Sequence, residues 1–224
     1  PNGAGKTTAM RILTGFMPAS SGTARVAGYD IQTQSLDVRR RIGYLPETVP
    51  LYKEMTVRAF LRFSATIRGM TGRRRETRIK DVIATCRIED YARTPIARLS
   101  KGYRQLVGVA QAILHEPEVL ILDEPTGNLD TRTMHEIMEL PQRLCTEGMT
   151  IVMVTHSHGC ACYAQRILHV SDGSLIEENS ANHHSHLLGM ASRSTSETKY
   201  RETLQTIFKN TKLKGERHGR WKKH

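Results

Sequence analysis

Val119-Leu120-Ile121-Leu122-Asp123-Glu124, bracketed by Pro117 and Pro125, is the stretch on which the fold turns. Its short, uninterrupted apolar run, half of it β-branched, reads as a central parallel strand covered on both faces. Asp123 and Glu124 then leave the carboxyl end of that strand, where open α/β sheets gather their ligands. Asp123 can hold a magnesium ion through water, and Glu124 can orient and deprotonate an attacking water. About 120 residues upstream the chain opens with Pro1-Asn2-Gly3-Ala4-Gly5-Lys6-Thr7-Thr8, nearly the whole G-x-x-x-x-G-K-[ST] loop without its first glycine. The backbone amides of Asn2 to Thr8 are expected to wrap phosphate oxygens, with Lys6 reaching the β- and γ-phosphates and the Thr7 hydroxyl facing Mg²⁺. Taken singly, the octet is an ordinary helix start and the acid pair a charged strand end. Together they predict one cleft that encloses a triphosphate.

Further out, the composition narrows the class. The chain has 224 residues, 38% of them hydrophobic, and a formal net charge of +11. That length supports one domain with a subdomain and a tail around a substantial core. No apolar run approaches the ~18 residues of a membrane span, so no membrane insertion is expected. Cys86, Cys145, Cys160 and Cys162 form no C-x-x-C pair, and no signal-peptide pattern is visible at the start. Free thiols in a reducing cytosol are expected. The absence of an initiator Met suggests a fragment. Ser100 precedes Leu106, Val109, Ala110, Ile113 and Leu114 at helical spacing, so it is a plausible N-cap.

Five motifs stand in a recognisable order. Leu99-Ser100-Lys101-Gly102-Tyr103-Arg104-Gln105 is similar to the LSGGQ signature in an LSKGYRQ form. Asn128-Leu129-Asp130 follows the acid pair as a D-loop does, and Thr155-His156 follows the apolar strand Ile151–Val154 as a switch histidine does. Ile42-Gly43-Tyr44-Leu45-Pro46-Glu47 falls where a Q-loop belongs, with Glu47 in place of the usual Gln. With the phosphate loop and the acids, these make residues 1–178 resemble the nucleotide-binding subunit of an ABC transporter, of exporter or gliding-associated type. The resemblance implies an α/β P-loop NTPase (RecA-like) core with a parallel sheet, residues 1–48 and 116–178, whose N-terminal strands are missing. A helical subdomain, 49–115, is inserted, and a basic polar tail, 179–224, follows. ATP and Mg²⁺ are the implied cofactors. Glu124 and His156 would be catalytic, the histidine as γ-phosphate sensor. Asn2, Gly3, Ala4, Gly5, Lys6, Thr7, Thr8, Glu47, Ser100, Gly102 and Asp130 would bind nucleotide, and Thr7, Asp123 and Glu47 would serve the metal. Ser100 and Gly102 of one cassette would meet the phosphate held by another in a homo- or heterodimer. Membrane-spanning permease subunits complete the implied assembly, on the cytoplasmic face of the membrane, with no nucleic-acid partner expected.

Other readings stay beside this one. His156, His158, Cys160 and Cys162 are zinc-binding residue types at same-side spacing in an extended chain. Arg68, Arg73, Arg74, Arg75, Arg78 and Lys80 form a cluster readable as a solvated face or an anionic contact. Leu51, Tyr52, Met55 and Phe60 are candidates for a groove receiving a permease helix, or for subdomain core. Pro141 lies inside a helical pattern and predicts a shortened or kinked helix. A degenerate cassette without turnover, or a soluble ABC ATPase acting on nucleic acid, would share most of these motifs.

Overall fold

The computed structural model describes residues 6–127, 129, 131–171 and 174–178. Its centre is a parallel sheet of three strands, β3 (Ile42–Leu45), β4 (Val119–Asp123) and β5 (Thr150–Val154), in the order β3-β4-β5. All of β4 is buried. Alternation along it sorts the side chains into two layers, because successive residues point to opposite faces. Val119 and Ile121 join Met10 and Leu13 of α1 (Lys6–Leu13) on one side, with Val38 of α2 (Ser35–Arg41). Leu120 and Leu122 join Val107, Ala110 and Ile113 of α5 (Lys101–Ile113) on the other. The continuous apolar run is therefore covered by helices on both faces, as its composition predicts. The contact between α5 and β3 depends on Gly43, where a Cβ would stand 2.4 Å from the Ala112 carbonyl oxygen.

Ahead of α2, β1 (Arg25–Val26) and β2 (Tyr29–Asp30) form a small hairpin, turned by Ala27 and Gly28 at φ 51° and 82°. Both central residues at positive φ are what a tight two-residue hairpin requires.

Residues 49–115 hold helices and turns. In α3 (Val57–Ile67) the Thr56 hydroxyl accepts the Ala59 N–H, an N-cap that satisfies one of the orphan amides of the first turn. Helix α4 (Gly72–Thr85) packs on α3 and α5 through Ile79, Val82 and Ile83, which meet Phe60 and Leu61 in the larger core. Phe60 is thus core, not groove, and Leu51 and Met55 are half-buried against the same cluster. Tyr52 alone of the four apolar groove candidates is exposed, edge-on to Phe63 at 5.4 Å between ring centroids, with Ile67 exposed a turn further along α3.

Much of the arginine cluster is spent internally. Arg78 donates to the Ile113 and Leu114 carbonyls at 2.7 and 3.0 Å, closing the end of α5. Arg74 pairs with Glu116, and Arg58, Arg62 and Arg75 converge on Glu76.

After β4, α6 (Thr131–Thr146) runs through Pro141 without ending there. The residues around the proline explain it: Ile137, Met138, Leu140 and Leu144 are all buried, and that burial offsets the lost backbone bond. A short α7 (His158–Ala161) precedes an antiparallel pair, β6 (Ile167–Ser171) and β7 (Ser174–Glu178). The tail, 179–224, lies outside the described residues. Among the described residues no helix is long and apolar enough to cross a membrane.

Candidate functional site

At the carboxyl end of β4 the backbone changes character between two adjacent acids. Asp123 closes the strand, only 3% exposed. Burial raises its carboxyl above the ordinary range, and the neighbouring charges of Glu47 and Glu124 push the same way. Three carboxylates from two strand ends thus converge on one spot. Tyr44, the third residue of β3, donates its hydroxyl to Asp123 Oδ2 at 3.3 Å; burial, then the Asp123 charge, raises this phenol to about 12. Arg11 of α1 lies close enough for its charge to act on both groups. In the sequence Tyr44 stands out only as part of the stretch leading to Glu47, with no partner marked, although a partly buried phenol normally finds one.

Glu124 turns out of the strand with φ 48°, a left-handed conformation that costs a non-glycine residue of order 1–3 kcal/mol and concentrates at functional sites. Its N–H still donates to the Val154 carbonyl at 2.9 Å, which anchors the turn to β5. The carboxylate is then held from the end of that neighbouring strand. Thr155 Oγ1 and the His156 N–H donate to Oε2 at 3.3 and 3.4 Å, and His156 Nδ1 lies 2.8 Å from Oε1. With Nδ1 donating, the ring keeps Nε2 for another partner, and the imidazole is largely exposed. The Glu124–His156 pair expected from the motifs is therefore assembled by the parallel register that sets Asp123 beside Val154.

The other predicted residues fall around this centre. Lys6 is half-buried at the start of α1, with Thr7 and Thr8 exposed beside it. Helix α1 packs against β4 through Met10 and Leu13, which meet Val119 and Ile121 in one layer of the core. Glu47, exposed just beyond β3, acts on Asp123 through its charge. Ser100 is the N-cap of α5, its hydroxyl accepting the Tyr103 N–H at 3.3 Å. Gly102 is buried in the first turn, where a Cβ would stand 2.5 Å from the Thr133 methyl. Asn2, Gly3, Ala4, Gly5 and Asp130 lie outside the described residues.

Two side chains of the LSKGYRQ stretch join the start of α5 to the acid turn. Gln105, buried, donates to the Pro125 carbonyl at 3.0 Å, and Lys101 Nζ donates to the Gly127 carbonyl at 2.6 Å.

The residue types fit a magnesium ion shared with phosphate. Asp123 and Glu47 supply hard oxygen ligands whose mutual repulsion a divalent cation would relieve, and magnesium is commonly held by one or two carboxylates together with substrate phosphates. The zinc reading of residues 156–162 loses its premise. Residues 158–161 are helical rather than extended, the buried Cys160 Sγ meets Thr126 Oγ1 at 2.7 Å, and His156 is committed to Glu124.

Comparisons with known proteins point to one family. A family model described as ABC transporter matches residues 1–127. The probable multidrug ABC transporter ATP-binding protein YbhF of Escherichia coli (strain K12) is 33% identical over 176 residues, 79% of this chain and 30% of that protein. Across several such curated relatives the chain spans between 28% and 50% of their length. Among solved structures, cbiO1 from Clostridium perfringens, part of the ABC transporter complex cbiONQ, superposes with a TM-score of 0.75 at 27% identity, covering 83% of this chain and 76% of that one. The ATP-binding cassette MJ0796, a dimer bound to ADP and Pi in a post-hydrolysis state, gives 0.70 at 26% identity, covering 80% and 82%.

Proposed function

The chain belongs to the ABC transporter family of ATP-binding domains, and from that premise we propose that it binds ATP with Mg²⁺ and hydrolyses it to drive membrane permease subunits. One observation carries the reading: the Glu124 carboxylate is fixed by Thr155 and His156 directly after the buried Asp123.

In this scheme the amides of residues 2–8 and the Lys6 ammonium bind the β- and γ-phosphates. Thr7, Asp123 and Glu47 hold the magnesium ion, which when bound neutralises charge developing on the phosphate oxygens. Glu124 aligns a water for in-line attack on the γ-phosphorus and accepts its proton. With both ring nitrogens of His156 protonated, Nδ1–H tethers Glu124 while Nε2–H donates to a γ-phosphate oxygen. Glu47 brings a negative charge where the family carries an uncharged amide, so nucleotide without metal should be rejected more strongly here.

Ser100 and Gly102 would complete the site of a second cassette, with Asp130 at the same junction, in a dimer with two-fold symmetry. Residues 1–48 and 116–178 form the catalytic unit in this scheme. Residues 49–115 form the coupling unit, whose exposed Tyr52, Phe63 and Ile67 receive a permease segment on the cytoplasmic face of the membrane.

The test is steady-state ATP hydrolysis by the wild type and by Glu124→Gln, with and without Mg²⁺. Metal-dependent turnover that falls at least about 100-fold in the variant, with ATP binding retained, is the expected result. Wild-type turnover no faster than the variant's would remove the assignment.

A further inference from the structure

We infer that Lys101 is a positioning residue that acts within its own protomer, clamping the turn that carries Glu124 to the start of the signature helix. The geometry has three parts. Lys101 and Gln105 lie four residues apart on α5, so their side chains share one face of the helix. They address two carbonyls of a single turn: Gln105 Nε2 reaches Pro125 at 3.0 Å, and Lys101 Nζ reaches Gly127 at 2.6 Å. The residue between those carbonyls, Thr126, is buried with its hydroxyl on Cys160 Sγ, so the turn is held from α5 on one side and from α7 on the other.

A turn of this kind needs outside support, because it begins at Glu124 in the left-handed region and, among the described residues, its own amide bonds are short-range. Those are Gly127 N–H to the Glu124 carbonyl at 3.1 Å and Leu129 N–H to the Thr126 carbonyl at 3.2 Å. Lys101 holds the far end of that turn, and Gln105 the near end. The ammonium is exposed and its stem is flexible, so its contribution is orientation of the Glu124 carboxylate rather than burial.

An alternative role would have Lys101 reach across a dimer to the nucleotide of a second cassette, and the two roles separate experimentally. Backbone amide exchange is measured on the full chain for wild type, Lys101→Met and Lys101→Arg. Lys101→Met, which keeps the apolar stem and loses the donor, is expected to speed exchange at Gly127 and Leu129 by about fivefold or more, with Leu120–Leu122 unchanged. Lys101→Arg, which restores a cationic donor, is expected to return most of that protection. Unaltered exchange in Lys101→Met overturns the inference.

The kinetic arm rests on the ATPase reading above. Lys101→Met should lower kcat about three- to tenfold with KM for ATP within about twofold, the split expected when a catalytic group is misplaced and substrate binding is not. In a Glu124→Gln background, the ATP concentration that drives dimerisation should be the same with Lys101 or Met. A dimerisation midpoint raised about tenfold with unaltered amide exchange would place Lys101 on the partner's nucleotide and sink the clamp. If the wild type shows no hydrolysis at all, the ATPase reading fails by itself, and the exchange measurement alone decides the role of Lys101.

Discussion

The Glu124 carboxylate receives one donor from a threonine hydroxyl, one from a backbone amide and one from an imidazole, all supplied by two consecutive residues, Thr155 and His156. Each donor reports a different property when removed. His156→Ala deletes both the Nδ1 tether and the exposed Nε2, and should lower kcat about 100-fold or more with little change in ATP affinity, read by single-turnover hydrolysis beside equilibrium binding. Tyr44→Phe deletes a donor to Asp123 and leaves the ring, so catalysis should persist while the Mg²⁺ concentration for half-maximal activity shifts by about two- to tenfold. The acids, the histidine and the N-cap serine were legible in the sequence because each sits at a fixed offset from a strongly patterned strand or helix. Tyr44 was not. Its partner lies 79 residues away, and only the parallel pairing of β3 with β4 brings the phenol to Asp123.

At the scale of single elements, β3 and α5 approach so closely that Gly43 has no room for a methyl group. Gly43→Ala would drive Cβ against the Ala112 carbonyl, a backbone atom that cannot rotate away, and should cost about 2 kcal/mol or more in denaturant unfolding. Beside its apolar packing, the joint between α3 and α4 carries a cluster of ion pairs on Glu76. Hydrogen bonds from Arg62, the dominant cause, lower the Glu76 carboxyl to about 2 from an ordinary value of 4.5, with Arg58 and Arg75 adding to the effect. With the folded value depressed, the unfolded chain takes up the proton first. The stabilisation is therefore complete above about pH 4.5 and drains away as pH falls toward about 2. Glu76→Gln should flatten that acid limb in thermal melts recorded between pH 5 and 2, with only a small loss near neutrality, because water screens the exposed partners. Helix α6 shows the reach of element-level reading: the proline rule is local, whereas the burial of Ile137, Met138, Leu140 and Leu144 around Pro141 belongs to the assembled core. Leu51, Tyr52, Met55 and Phe60 stayed open between groove and core for a related reason. Phe60 and Tyr52 are both aromatic and eight positions apart, and composition cannot tell that one faces α4 and α5 while the other faces solvent.

On the scale of the whole molecule, the acid turn and the exposed aromatic patch belong to different layers, so damage to one should spare the other. Tyr52→Ala combined with Ile67→Ser should abolish co-purification with a permease subunit while basal ATP hydrolysis stays within about twofold of wild type, since neither side chain enters the main core. The plan of helices on both faces of the sheet was legible from β4 alone, because only a strand covered twice is apolar at every position. How the helical segment fastens to that plan was not, because the fastener is an arginine lost among its neighbours in a basic stretch. Arg78 grips the final carbonyls of α5, and only His115, Glu116, Pro117 and Glu118 intervene before β4 begins. A tug on α4 is thereby leashed to the root of that strand, at the end opposite the acids. Any displacement of the outer helices that these bonds transmit would therefore reach β4 at its far end, before the carboxylates.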